Sequence, residues 1–323
     1  MNTILCADIG GTNSRFAWFR LSEGRLAVQE IIKLPTAETE SFGDLLDDLR
    51  ASQFGFDPAD CDIAVIAVCG AVKKGVMADP ANVSWAIDVS NADKDYGLKK
   101  CFLVNDFVAQ AYACVTPAVD NALEIKPGTP NPTGALAAIG AGTGLGHGAI
   151  RCDRLGGYTQ FPSEAGHATF AFYTEEEIEY MRFVQAETGK PYPYGDLIVT
   201  GLGLTLLHKF HTGRELEPAE VAKELPDSPD TRTWYARFYG RACRNYAITV
   251  LPTAGLYIAG GIAAKNPFLV TDPAFTQEFL FLPHYKYILE PIPIYLNSND
   301  DSGLWGAARF GQQVLATPGA FSG

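Results

Sequence analysis

Short apolar runs suited to strands open the chain at 4–8, 14–19 and 26–34, followed by a helical spacing of apolar positions near 41–50. The next run, Asp62-Ile63-Ala64-Val65-Ile66-Ala67-Val68-Cys69, has no polar alternation. Such continuity predicts a buried strand in the parallel part of a sheet covered on both faces. A fifth strand, Cys101-Phe102-Leu103-Val104, ends in Asn105-Asp106 and runs into the helical pattern of 107–112.

A joint rich in proline and glycine at 126–134 precedes a repeat of the opening theme. Ala135-Leu136-Ala137-Ala138-Ile139 reads as a strand, 140–146 as a glycine turn, and 147–151 as a second strand. Strand, Gly/Thr turn, strand has then occurred twice, which predicts two α/β domains of like topology around a central cleft. Helical patterns follow at 175–188, 203–211 and 232–250, a buried strand at 256–259 before Gly260-Gly261, and a strand at 292–296. Asn299-Asp300-Asp301-Ser302 is read as the cap of a final helix that returns to the first domain. The expected boundaries are 1–110 plus 301–323 for a small domain and 111–300 for a large one.

The 323 residues are 47% hydrophobic and 19% charged, enough to bury one large core or two moderate ones, and two domains are expected. A formal charge of -12 disfavours a nucleic-acid or anionic-membrane surface, though not a nucleotide ligand. No apolar run approaches the roughly 20 residues of a membrane span. Met1 precedes the first strand by two residues, so a signal peptide is not expected. The seven cysteines form no CxxC pair or regular framework, and several lie in strand-like runs. They are read as small core residues of a reduced, cytoplasmic protein.

The opening turn carries the first chemistry. Asp8 ends a strand and meets Gly10-Gly11-Thr12, where backbone N–H groups can converge on an anion and the carboxylate can hold magnesium directly or through water. A plain hairpin turn fits that segment equally when taken alone. Gly142-Thr143-Gly144 offers a second such turn, and Gly260-Gly261 allows close approach of a flat ligand.

Together these three segments resemble the two phosphate loops and the adenosine loop of the sugar kinase, Hsp70 and actin superfamily, whose fold is of the ribonuclease H-like, actin-like ATPase type. Within it the chain is most similar to the bacterial glucokinase family of the hexokinase-like type, through Val104-Asn105-Asp106-Phe107 and Ser163-Glu164-Ala165-Gly166-His167. The resemblance implies ATP and Mg2+ as cofactors, held by Ala7, Asp8, Ile9, Gly10, Gly11, Thr12, Asn13, Gly142, Thr143, Gly144, Gly260 and Gly261, with Asp8 on the metal through water. It implies a glucose or similar hexose site of Asn105, Asp106, Glu164, His167 and Glu187, phosphorylation of glucose to glucose 6-phosphate, and often a homodimer. The zinc motif of the related ROK proteins is missing after His167, and the family usually has glycine where Ser163 and Ala165 stand.

Asp106 is assigned as the general base that accepts the sugar hydroxyl proton. Helix capping by Asp106 is the even rival from local pattern. For His167 a backbone-bonded loop histidine, and for Glu187 a solvated helix end, are the ordinary alternatives. No G-x-x-x-x-G-K-[ST] occurs, and the glycines near 144–149 precede no helix, which removes the P-loop and Rossmann readings. A kinase for another hexose or amino sugar, or a non-catalytic sugar sensor on the same fold, stands as the alternative function.

Overall fold

The computed structural model describes residues 1–80, 82–154 and 156–317. The chain divides into two compact units, one of Met1–Asp120, Asp153–Pro162 and Asn299–Gly323, the other of Asn121–Cys152 and Ser163–Ser298.

The first unit is built on β1 (Asn2–Ile9), β2 (Asn13–Ser22), β3 (Arg25–Pro35), β4 (Ile63–Val68) and β5 (Cys101–Asn105), in the spatial order β3-β2-β1-β4-β5. β1 to β3 form an antiparallel meander, while β1, β4 and β5 are parallel. Every residue of β4 is buried, as its uninterrupted apolar run requires. β3 instead alternates half-buried with exposed positions along its whole length, as an edge strand with one wet face does. α1 (Phe42–Ala51) starts at Ser41, whose hydroxyl accepts the Asp44 N–H, and it turns Phe42, Leu45, Leu46 and Leu49 into the core.

α2 (Asp106–Ala113) follows β5 without a loop. The final helix, Ser302–Ala316, lies against α2 so closely that a Cβ on Gly306 would sit 1.7 Å from the Ala109 carbonyl oxygen. The segment Asp153–Pro162 packs with this unit because the Gln313 side-chain amide clasps the Tyr158 backbone. Its Oε1 accepts the Tyr158 N–H at 2.7 Å and its Nε2 donates to the Tyr158 carbonyl at 2.9 Å.

The second unit repeats the theme. β6 (Leu123–Lys126), β7 (Ala135–Ala141), β8 (Leu145–Cys152), β9 (Gly255–Ala259) and β10 (Ile294–Leu296) lie in the order β8-β7-β9-β10-β6. β7 and β8 form an antiparallel hairpin, and β7, β9 and β10 are parallel. This matches β2-β1-β4-β5 strand for strand, so the like topology expected from the repeated glycine turn is present. β6 was not expected. It pairs antiparallel with β10, and the Lys126 ammonium donates to the carbonyls of Pro127, Glu290 and Ile292. The main helices are α3 (Glu175–Thr188), α4 (Gly201–Thr212) and α5 (Pro229–Val250), the last of which buries twelve residues and forms the backbone of the core.

Candidate active site

In the first unit the turn at 10–12 is the tip of the β1/β2 hairpin, where Asp8 faces Arg15 and Ile9 faces Ser14. Its glycines are needed for space. Neither Gly10 nor Gly11 has a positive φ. A Cβ on Gly11 would lie 2.5 Å from the Asn82 carbonyl oxygen, and one on Gly10 would lie 2.7 Å from that of Asn13. Gly11→Ala is therefore expected to displace this turn and to cost about 1–3 kcal/mol, the usual range for overpacking. A urea-unfolding midpoint equal to that of the parent would refute it.

Asp8, Gly10, Thr12, Asn13, Arg15 and Lys33 line a pocket of about 280 Å3. Arg15 and Lys33 are direct cross-strand neighbours, which puts two cations beside the turn. Lys33 was missed in the sequence because strand register is not written locally. Burial pushes the Asp8 carboxyl above its ordinary value, Arg15 opposes this and Asp301 adds to it. Arg15 also donates to the Asp300 carbonyl at 3.1 Å. A Cβ on Gly303 would sit 3.1 Å from Asp8 Oδ2, so the start of the final helix backs the carboxylate closely.

The parallel registers carry Asp8 to Ala67 and Ala67 to Val104, so the carboxyl ends of β1, β4 and β5 are aligned. Two inter-strand steps separate Asp8 from β5, roughly 10 Å. Asn105 caps α2: its Oδ1 accepts the N–H groups of Phe107 and Val108, and its Nδ2 donates to the Gly70 carbonyl. Asp106 is thus the first helical residue, not the cap, and its Oδ1 accepts the Phe107 N–H at 3.0 Å. The capping duty that competed with a chemical role belongs to its neighbour.

In the second unit the turn 142–144 closes the β7/β8 hairpin, with the Gly142 N–H bonded to the Gly144 carbonyl and with Thr143 and Gly144 exposed. β9 runs parallel to β7 and brings Gly260 against Ala141. There φ is +87° and a Cβ would meet the Ala141 oxygen at 2.7 Å, so glycine is required both by conformation and by proximity. Gly261 opens the short helix Gly261–Lys265. The second glycine turn and the glycine pair are thereby joined.

His167 ends a single helical turn, Ala165–His167, that follows Glu164. Its Nε2 lies 3.7 Å from a Glu164 carboxylate oxygen and its Nδ1 lies 3.4 Å from Asp196 Oδ2. Asp196 is the residue that sequence reading missed. Its Oδ1 accepts the Leu145 N–H at 2.9 Å, so one carboxylate braces the glycine hairpin and faces the His167 ring. A Cβ on Gly166 would meet this same oxygen at 2.4 Å. Ser163 uses its hydroxyl locally, accepting the Ala165 N–H.

Glu187 is held elsewhere. At the end of α3 its carboxylate pairs with the Lys209 ammonium at 2.7 Å, and no hydrogen bond or ion pair among the described residues joins it to Glu164 or His167.

A family model described as Glucokinase matches residues 5–314. The chain belongs to the glucokinase family. The glucokinase of Nostoc punctiforme is 27% identical over 344 residues, covering 95% of this chain and 98% of that protein. Among solved structures, a glucokinase from an Antarctic psychrotroph superposes with a TM-score of 0.82 at 24% identity, covering 96% of this chain and 98% of the other. A ROK family glucokinase from Streptomyces griseus, solved with glucose and AMPPNP, gives a TM-score of 0.56 at 19% identity over 95% and 98% of the two chains. These likenesses fix the fold as that of the actin-like sugar kinases. No helix among the described residues is long and apolar enough to cross a membrane.

Proposed function

We propose that this protein is an ATP-dependent glucokinase, transferring the γ-phosphoryl group to the 6-hydroxyl of glucose. Membership of the glucokinase family supports the activity, and the AMPPNP and glucose bound by the Streptomyces griseus relative support the pair of substrates. One observation carries the mechanism: Asp106 stands just beyond the aligned strand ends that also carry Asp8, with the helix cap supplied by Asn105.

Phosphoryl transfer asks a protein chiefly to position groups and neutralise charge. The turn at 10–12 offers N–H groups and the Thr12 hydroxyl to phosphate oxygens, beside the cations of Arg15 and Lys33. The turn at 142–144 offers N–H groups and the Thr143 hydroxyl, and Gly260 and Gly261 leave room for a flat base. Asp106 receives the proton of the sugar hydroxyl as the oxygen attacks. Asn105, Glu164 and His167 hold sugar hydroxyls, with Asp196 taking the orienting part that the sequence gave to Glu187.

The donor set fits magnesium. Asp8 is a half-buried carboxylate whose pKa desolvation has raised despite Arg15, so a further cation beside it would favour its charged form. No cluster of three or more metal-ligating side chains occurs among the described residues, so Asp8 would hold the ion directly or through water with phosphate oxygens completing its shell. When bound, magnesium supplies charge neutralisation at the transferring phosphates.

A coupled ADP-release assay across glucose, mannose, fructose, N-acetylglucosamine and glycerol tests the proposal. Glucose is expected to give the highest kcat/KM. Absence of sugar-stimulated ADP release would overturn the kinase reading, and a preference for another sugar would overturn the substrate.

A further inference from the structure

Behind the His167 turn lies a cavity of about 120 Å3 that the phosphoryl-transfer chemistry does not use. Leu145, Ala165, Ala168, Phe170 and Ala242 form its apolar wall. His147 and Tyr246 are its deeply buried polar lining, each 3% exposed, while half-buried Asn245 and exposed Thr169 and Thr249 line its solvent side. His147 Nδ1 and the Tyr246 hydroxyl have no hydrogen-bond partner among the described residues. Their rings meet edge to face at 4.6 Å, so both polar atoms belong to one small region. Buried polar groups are almost always satisfied, and a pair left open in the same cavity marks a place where a partner is missing.

The lining selects the chemistry of that partner. No charged side chain borders the cavity. Burial pushes the His147 pKa down to about 4 against the opposing pull of a backbone hydrogen bond to Leu145, which keeps the ring neutral near pH 7, so it brings a nitrogen lone pair and no charge. An ion would lose its hydration without a counter-charge. The size is near that of cavities of about 150 Å3 that accept benzene. We propose that this cavity is a binding site for a small uncharged aromatic molecule bearing one hydroxyl, its ring against Phe170 and Leu145 and its hydroxyl between His147 Nδ1 and the Tyr246 hydroxyl.

Occupancy bears on the sugar site through shared walls. Leu145 donates its N–H to Asp196, and Ala165 and Ala168 bracket the turn that carries His167. A ligand that immobilises these residues lowers the entropy lost when sugar orders the same turn. This consequence rests on the glucokinase reading, whereas binding itself does not.

Phenol is the probe, with toluene as the control that lacks the hydroxyl. Amide NMR titration of the full chain is expected to show saturable shifts at Leu145, Ala165 and Ala168 with phenol. Affinity for toluene, and affinity of Tyr246→Phe for phenol, are each expected to be weaker by about tenfold, the loss of one hydrogen bond. His147→Gln, which keeps a polar side chain, serves as a second variant should Tyr246→Phe fold poorly, and is expected to weaken phenol binding similarly. Saturating phenol is expected to lower the glucose KM by about fivefold. No saturable shifts, or equal binding of phenol and toluene, would overturn the site. Saturable binding with an unchanged glucose KM would overturn the coupling alone, and binding without any kinase activity would strike the functional reading and leave the site standing.

Discussion

Asp106→Asn is expected to lower kcat for glucose phosphorylation by about 10²- to 10⁴-fold, the range for removing a general base. Asparagine has the same shape and retains an oxygen that can accept the Phe107 N–H, and the α2 cap stays with Asn105. The start of the helix therefore persists, and glucose binding measured by calorimetry should change only a few-fold. Because the lost interaction develops only as the proton moves, kcat and kcat/KM should fall together. A variant within tenfold of the parent in kcat would remove Asp106 from the chemistry. Loss of glucose binding with kcat retained would make it a sugar ligand and nothing more.

This prediction depends on distinguishing two neighbouring residues that the sequence leaves ambiguous. Asn105-Asp106 at a strand end gives two preferred capping residues in a row, and local pattern cannot say which one caps. The answer lies in tertiary placement, with the Asn105 amide bonded across to Gly70, just beyond β4. The repeated strand-turn-strand theme, by contrast, was legible because apolar runs and glycine turns are local, and the two sheets follow it in the same order. Gly11 is needed for space beside Asn82, a tertiary neighbour that local pattern does not name.

Lys33, Asp196 and Glu187 show a second limit. Lys33 is ordinary in sequence and matters only through its pairing opposite Arg15. Asp196 lies in the unremarkable run Tyr194-Gly195-Asp196-Leu197, and its importance comes from contacts with Leu145 and His167 across 51 and 29 positions of chain. The one local signal was Gly195 beside it, where a Cβ would lie 2.9 Å from the Gly166 carbonyl oxygen. Glu187, chosen by resemblance, was available to Lys209 one helix away.

The largest stability effect is expected at Arg241. Its side chain is fully buried in α5, where the guanidinium binds both Glu177 oxygens at 2.7 and 2.8 Å, Glu278 at 2.9 Å and the Ala171 carbonyl at 2.8 Å. Three segments meet there: α3 through Glu177, the helix Pro273–Phe279 through Glu278, and the chain leaving the His167 turn through Ala171. Arg241→Met keeps much of the apolar stem but strands two buried carboxylates, for which about 3–5 kcal/mol is expected. Arg237 and Arg244 still reach Glu177 and Glu278 respectively, which places the result toward the lower end. Burial raises the Glu278 pKa, but hydrogen bonds from Arg241 and Tyr173 outweigh it, and the net shift is downward. A carboxyl with a lowered folded-state pKa contributes stability above its unfolded value and loses it as pH falls through the folded one. The parent should therefore lose stability below about pH 4.5, the range where unfolded glutamates protonate, and Arg241→Met should lose less over the same interval. Urea unfolding followed by Trp234, which lies in the second unit, reads both effects. A midpoint unchanged at pH 7 would show the network contributes nothing, and parallel pH profiles would show that Arg241 does not set the Glu278 charge.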